Sequence, residues 1–207
     1  MLSMLAVLTS VAAPSVSRTL AQSRLTRASS DAAAIKTAVD AFITEFTVFT
    51  PAAFTSTGAT GGDTIEVLVS DGDTPPLSAT ISGLGAPHTN WDDVVVCCGT
   101  EPDIGFLEAH LVLNASLGGA GSYSTAATGW RGAYISAPVD PDPWGNRYAV
   151  NVEYLRGAST ANDVFVVSAG PDEEMDTQYS WTGGGARPGD DDIISIIRRH
   201  SGGLGVP

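Results

Sequence analysis

The sequence predicts an α+β protein in which one long N-terminal helix precedes a small β region. Three observations lead to this prediction. An apolar stripe with helical spacing runs through residues 35–46, alternating apolar residues mark short strands in the C-terminal third, and carboxylates gather in the loop that follows these strands. The 207 residues are long enough for one domain with a real hydrophobic core.

The long helix is predicted from two adjacent segments. Residues 1–13 (MLSMLAVLTSVAA) are almost wholly apolar and end at Pro14. No residue between Ser15 and Thr47 breaks a helix, so we expect one helix of about 45 residues, roughly 65 to 70 Å long. Its apolar stripe, which we expect to bury against the rest of the protein, consists of Ile35, Ala38, Val39, Phe42, Ile43 and Phe46.

The apolar run of residues 1–13 has three interpretations. It is shorter than the about 20 residues that span a bilayer, and it lacks the basic n-region that begins a secretory signal peptide. The third interpretation is the end of a membrane helix whose first turns lie upstream of Met1, and the helical continuation favours it. We therefore predict a truncated hydrophobic anchor over residues 1–28 and a globular domain over residues 29–207.

The β region is predicted from short apolar runs bounded by turn residues. Tyr148, Val150, Val152 and Tyr154 alternate, which indicates a half-buried strand whose antiparallel partner is residues 163–168. Asp142-Pro-Trp-Gly-Asn146 is typical of a tight turn, with Trp144 as a plug beneath the sheet. The strands are predicted at residues 65–69, 77–81, 94–98, 147–155 and 163–168, and a short helix at residues 103–113.

Composition and motifs argue against nucleic-acid binding and against catalysis. Ten basic residues stand against 23 acidic ones, a formal charge of −13, so no direct nucleic-acid partner is expected. No serine lies in a Gly-x-Ser-x-Gly elbow, and Gly183-Gly-Gly185 lacks the lysine of a phosphate-binding loop. His110 is expected on the surface or at the core edge. We predict that the chain is not an enzyme.

The adjacent cysteines, Cys97 and Cys98, lack the spacing of a zinc or thioredoxin-type motif. They are interpreted as two small buried residues at the end of a strand.

The acidic loop has two interpretations, a calcium site or a solvated loop. Calcium takes six to eight oxygen ligands, and a loop that leaves a strand at Ser168-Ala-Gly170 can supply both carboxylates and carbonyls. No EF-hand pattern is present, so both interpretations stay open at this point. The carboxylates that bracket the loop are Asp172, Glu173, Glu174, Asp176, Asp190, Asp191 and Asp192.

Several motifs together resemble the major pseudopilin of type II secretion, a member of the type IV pilin-like superfamily. In the C-terminal half they are Gly129-Trp-Arg-Gly-Ala-Tyr134, Pro138, Asp142-Pro-Trp-Gly-Asn-Arg-Tyr148, Asp163-Val-Phe165, Ser168-Ala-Gly-Pro-Asp172 and Asp190-Asp-Asp-Ile193. At the N-terminus, Leu8-Thr-Ser-Val-Ala-Ala-Pro14, Asp31 and Ala38-Val-Asp-Ala-Phe42 are similar to the pilin-like helix.

The resemblance implies a pilin-like fold, a long N-terminal helix packed on a small antiparallel sheet with a calcium-binding C-terminal loop. Carried over to this sequence, Asp172 and one or more of Asp190, Asp191 and Asp192 would be side-chain ligands, and Ala169 would offer its carbonyl oxygen. The implied function is that of a structural subunit of a secretion pseudopilus that supports protein export. The implied partners are further copies, other pseudopilins and an inner-membrane assembly platform.

The same resemblance implies a single-pass protein of the bacterial inner membrane with a periplasmic domain, and a filament in the periplasm or outside the cell. The family's processing site and its glutamate near the mature N-terminus are absent, so we interpret Met1 as internal, with about eight mature residues and a leader missing. Residues 54–128 are longer than in the family, and the acidic loop is expanded. The alternatives are a type IV or competence pilin, and a secreted calcium-binding module.

Overall fold

The protein is seen in a computed structural model that describes residues 2–45, 67–76, 104–114, 130–136, 138–155, 162–180 and 191–199. An N-terminal helix packs on a mixed five-stranded sheet, so the α+β class is confirmed. The elements are α1 (Leu2–Glu45), β1 (Val67–Val69), β2 (Ile104–Phe106), α2 (Leu107–Leu111), β3 (Ala149–Val150), a 3₁₀ helix (Val152–Leu155), β4 (Val164–Ser168) and β5 (Ile193–Arg198).

Helix α1 is continuous over 44 residues, as the sequence predicts. Its C-terminal half lies against β4 and β5. A side chain returns to the same helix face every three or four residues, and at this spacing the helix contributes one buried stripe. The buried residues are Ala28, Ala32, Ile35, Ala38, Val39 and Phe42. Ile43 packs at the edge of the core, whereas Phe46 lies outside the described residues.

The predicted single-pass anchor is wrong. Among the described helices, none is both long enough and apolar enough to cross a bilayer. In α1 the apolar run of residues 2–13 is followed within a few turns by Arg18, Arg24 and Arg27, and the helix then continues with one face buried on the protein's own sheet. The prediction of a single-pass inner-membrane protein is therefore contradicted over the residues that the structure describes.

The sheet is mixed, which corrects the prediction of an antiparallel sheet. Its strand order is β2-β1-β3-β4-β5, with β1 and β2 parallel and the other neighbours antiparallel. The pairing of β4 with β3 confirms the predicted partnership of residues 163–168. Strand β5 was not predicted. The strands predicted at residues 77–81 and 94–98, together with Cys97 and Cys98, lie outside the described residues.

The strand predicted over residues 147–155 ends early because the Asn151 side chain makes hydrogen bonds that the strand backbone would otherwise make to its neighbour. After Val150, Asn151 Oδ1 accepts the backbone N–H of Phe165 at 2.8 Å. Its Nδ2 donates to the carbonyl oxygens of Asp163 and Tyr179, each at 2.9 Å. The backbone is thereby free to turn into the 3₁₀ helix, and the residues predicted to be half-buried are all buried.

The helix predicted over residues 103–113 is shortened by tertiary pairing. Residues Ile104–Phe106 form β2 and pair in parallel with Val67–Val69, so only Leu107–Leu111 remain helical. Trp144 is half-buried and lies outside the core cluster, so its predicted role as a plug is wrong. The largest fully buried side chains are Tyr148, Phe42, Phe165, Ile35, Leu68, Leu107, Leu111, Leu155 and Met175.

Candidate metal-binding loop

The loop between β4 and β5 begins and ends at the same edge of the sheet. The two strands are antiparallel, and Ser168 at the end of β4 pairs with Ile193 at the start of β5. Gly170 has φ +73, and a Cβ at this position would overlap the carbonyl oxygen of Asp191. The loop can close this tightly because glycine has no side chain and adopts positive φ readily.

Three carboxylates meet in this loop. Oxygen atoms of Asp172, Asp176 and Asp191 all lie within 4.8 Å of one another. The backbone N–H of Asp172 donates to Asp191 Oδ2 at 3.0 Å, which links the two sides of the loop. Asp172 is exposed and the other two residues are half-buried, so the cluster opens to solvent on one side.

Asp192 positions the loop rather than joining the cluster. Its Oδ2 accepts the backbone N–H groups of Asp176 at 3.0 Å and of Thr177 at 2.6 Å. Its Oδ1 is buried and has no hydrogen-bond partner among the described residues. Burial raises the pKa of Asp192 to about 6, although the hydrogen bonds from Thr177 and Asp176 oppose this rise.

The negative charges of the loop repel one another. The pKa of Asp191 is raised by burial and by the neighbouring charges of Asp172 and Asp176, with the Asp172 N–H acting in the opposite direction. Like charges this close favour either a proton or a cation among them. Within the described part of the chain, neither Lys nor Arg forms an ion pair with any of these three carboxylates.

The donor set fits a hard cation such as calcium. Calcium binds oxygen at about 2.3 to 2.6 Å, so ligand oxygens around one ion lie at most about 5 Å apart. The 4.8 Å limit for Asp172, Asp176 and Asp191 meets this requirement. These carboxylates would hold the ion, which would neutralise the negative charge of the loop.

The structure brings together part of the predicted ligand set. Asp172 and Asp191 are in the cluster, whereas the Asp192 carboxylate accepts backbone N–H groups and Asp190 lies outside the described residues. Ala169 is buried at the exit from β4. Asp176, the third member of the cluster, is not in the predicted ligand set. The sequence feature that accompanies Asp176 is the apolar residue Met175 next to it. The Met175 N–H donates to the Pro76 carbonyl and attaches the loop to the rest of the protein.

A buried turn supports the start of the loop. Ser168 Oγ donates to Asp142 Oδ2 at 2.6 Å and accepts the Gly170 N–H at 3.3 Å. Asp142 is itself the first residue of the predicted turn, and its Oδ1 accepts the N–H groups of Trp144 and Asn146, each at 2.9 Å. The sequence motif around Asp142 therefore anchors the strand exit that leads to the acidic cluster.

His110 is not where the sequence placed it. The side chain is fully buried, not at the surface or the core edge, and burial lowers its pKa to about 4. Its carbonyl oxygen accepts the indole N–H of Trp130 at 3.2 Å. The helix that carries it is shorter than predicted, and it turns Leu107, His110 and Leu111 toward the buried interior.

Comparison with known proteins adds no relative. No protein-family model matches the chain, no curated protein matches it, and no solved structure matches it.

Proposed function

We propose that this protein is a structural subunit of a pilin-like filament that assembles through its N-terminal helix. The observation that carries the proposal is the contrast between two parts of α1. Residues 28–42 bury a stripe on the sheet, whereas every residue from Val16 to Arg24 is exposed on all sides of the helix. We call Val16–Arg24 the stalk.

The stalk leaves two large aliphatic side chains exposed to solvent. Val16 and Leu20 are 56% and 60% exposed, and the segment continues the apolar run of residues 2–13. Covering a large aliphatic side chain is worth about 1.5 to 3 kcal/mol, so association that covers the stalk is favourable. Contacts between different surfaces of identical copies generate open helical filaments when the rotation does not close.

The resemblance of the motifs from Gly129 to Ile193 supports the narrower proposal of a type II secretion pseudopilin. In that role the fold is of the type IV pilin kind, the sheet domain faces outward from a helical core, and the filament supports protein export. The chain itself catalyses no reaction in this proposal, and its partners are further copies and related subunits.

Electron microscopy of the purified full-length protein tests the filament proposal. We expect the wild type to form filaments, and Val16→Glu combined with Leu20→Glu to abolish them because charged side chains would have to be buried. Thr26→Glu is the matched control, since Thr26 is also exposed on α1. A wild type that remains dispersed at high concentration would sink the proposal.

We further propose that the acidic loop binds calcium through Asp172, Asp176 and Asp191, with the carbonyl of Ala169 and the carboxylate of Asp190 as additional candidates. A ligand that binds only the folded state raises the melting temperature, by an amount equivalent to about 2.7 kcal/mol at a hundred times its dissociation constant. The closeness of the three carboxylates supports this proposal.

Thermal unfolding with and without calcium is the test. Asp176→Asn should remove most of the calcium-dependent rise, because it deletes one of the three charges of the cluster. Glu174→Gln is the control, since Glu174 is exposed and outside the cluster. An equal calcium response in Asp176→Asn and the wild type would contradict the assignment.

A further inference from the structure

A groove lies between α1 and the segment that precedes the Asp142 turn. Its volume is about 310 Å³, and no other part of the described chain fills it. Polar and apolar groups share its lining about equally, and two carboxylates are among the lining side chains. The residues that define it are Arg27, Asp31, Ile35, Ile135, Val139 and Asp140.

The carboxylates of the groove differ in their partners. Asp31 lies 3.4 Å from Arg27 Nε and accepts the Tyr148 hydroxyl at 3.4 Å. Asp140 is exposed, and among the described residues no Lys or Arg forms an ion pair with it. The groove contains one cationic side chain and two carboxylates, so its net charge is negative. It therefore suits a partner segment in which an apolar side chain lies next to a cationic one.

The stalk carries that combination. Val16, Leu20 and Arg24 follow one another at intervals of four residues, so they lie along one face of α1. The next two positions at the same interval, Ala28 and Ala32, are buried on the protein's own sheet. One face of α1 is therefore exposed along the stalk and packed on the sheet further along the helix.

The stalk and the groove carry charges of opposite sign. Arg18, Arg24 and Arg27 precede Asp31, and all 23 acidic residues lie after Ser30. Arg24 is exposed, and the ion pairs of the described residues do not include it. The stalk is thus a cationic segment on a protein of net charge −13, and its complement is the surface of another copy.

We propose that the stalk of one copy docks in the groove of a second copy, with Leu20 between Ile135 and Val139 and Arg24 paired with Asp140. The inference rests on the proposed filament function and names the contact that builds it. The two surfaces differ, so the contact is head-to-tail and can repeat without closing. Leu20 lies 11 residues before Asp31, so parallel copies are staggered by roughly 16 Å along the helix axis.

A charge swap tests the contact in the full-length protein. Sedimentation velocity over a concentration series gives the self-association constant of the wild type, Arg24→Glu, Asp140→Arg and the variant with both changes. Each single change should weaken association by about tenfold or more, equivalent to about 1.4 kcal/mol. The combined variant should return to within about threefold of the wild type, because the ion pair is restored in reverse.

Arg18→Glu is the matched control. Arg18 is exposed on the same stalk but is turned about 120° from Arg24 around the helix, so its charge change should leave association within about twofold. Both Arg24 and Asp140 are exposed, and circular dichroism should report an unchanged fold for every variant.

The possible outcomes distinguish a failure of this contact from a failure of the filament proposal. A wild type that stays monomeric at all concentrations overturns both proposals. Wild-type association that persists unchanged in Arg24→Glu, or that fails to recover in the combined variant, overturns this contact and leaves the filament in place. An equal loss in Arg18→Glu would mean that net charge governs association, and it would also overturn the contact.

Discussion

The Ser168 hydroxyl donates a 2.6 Å hydrogen bond to Asp142 Oδ2, joining the end of β4 to a turn 26 residues earlier in the chain. Both side chains are buried. Through this bond the Asp142 turn and the start of the acidic loop form one unit, because Ser168 also accepts the Gly170 N–H. The position of the candidate metal site therefore depends on a residue that is not itself a ligand.

Loss of Asp142 should destabilise the fold strongly. Asp142→Ala removes the acceptor of two backbone N–H groups and of the Ser168 hydroxyl, and hydrogen bonds to a charged group are worth about 1.5 to 3 kcal/mol each. We expect the free energy of unfolding in urea to fall by about 3 kcal/mol or more. Gln178→Ala, at an exposed position outside this unit, should change it by less than about 0.5 kcal/mol.

Ser168→Ala isolates one bond of this unit. We expect a loss of about 1 to 3 kcal/mol, because Asp142 Oδ2 is left buried without its donor. In the variant with both residues changed to Ala, the two losses should not add, since the residues share the bond. Strict additivity in urea unfolding would contradict the coupling.

Asn151 should tolerate neither a charge nor truncation. Its amide satisfies the Phe165 N–H and the carbonyl oxygens of Asp163 and Tyr179, all within a buried region. Asn151→Asp keeps the shape but turns a carboxylate oxygen toward two carbonyl oxygens, so we expect a loss of about 3 kcal/mol or more at neutral pH. The loss should shrink as the pH falls and the new carboxyl becomes protonated, as urea unfolding at several pH values would reveal.

The parts of the fold that depend on local chemistry were predictable. The stripe from Ile35 to Phe42 recurs with the helical period, and the Asp142 turn is favoured by Pro143 and Gly145. Strand β5 was missed because Ile193-Ile-Ser-Ile-Ile197 does not alternate, and in the structure its residues are half-buried on both faces of an edge strand. Its position is determined only by pairing with β4.

Non-local contacts also explain the other errors. The parallel pairing of β1 with β2 joins segments 37 residues apart, as Val67 pairs with Ile104, and no local pattern specifies it. Asp176 enters the acidic cluster because Met175 is bound to the Pro76 carbonyl and because Asp192 holds its N–H. A carboxylate run can be read from the sequence, but which members of it converge depends on these distant partners.

Gly170 should be irreplaceable at the start of the acidic loop. Gly170→Ala combines positive φ with a Cβ that overlaps the Asp191 backbone, so the two sides of the loop must separate. We expect a loss of at least about 2 kcal/mol in urea unfolding, together with a loss of any calcium-dependent stabilisation. Gly132→Ala is the comparison, since Gly132 also has positive φ but a Cβ there meets no atom within 4 Å. Equal losses in the two variants would mean that strain alone, without the close approach to Asp191, sets the cost.

His110 should make the fold sensitive to mild acid. In the folded protein burial lowers its pKa to about 4, whereas in the unfolded chain its pKa is close to the ordinary value of 6.5. Above pH 6.5 the side chain is neutral in both states and adds no pH dependence. As the pH falls from 6.5 to 4 the unfolded chain takes up the proton first, so stability declines; each pKa unit corresponds to about 1.36 kcal/mol, which gives about 3 kcal/mol in all.

The variant His110→Gln cannot be protonated in this range, so its free energy of unfolding should depend less steeply on pH between 6.5 and 4. Urea unfolding of both proteins at half-unit pH intervals measures the difference in slope, and this difference is independent of any constant cost of the substitution. Carboxylates such as Asp192 titrate in the same window but contribute equally to both proteins, so they cancel in the comparison. Parallel stability curves for the two proteins would show that His110 does not remain neutral in the folded state.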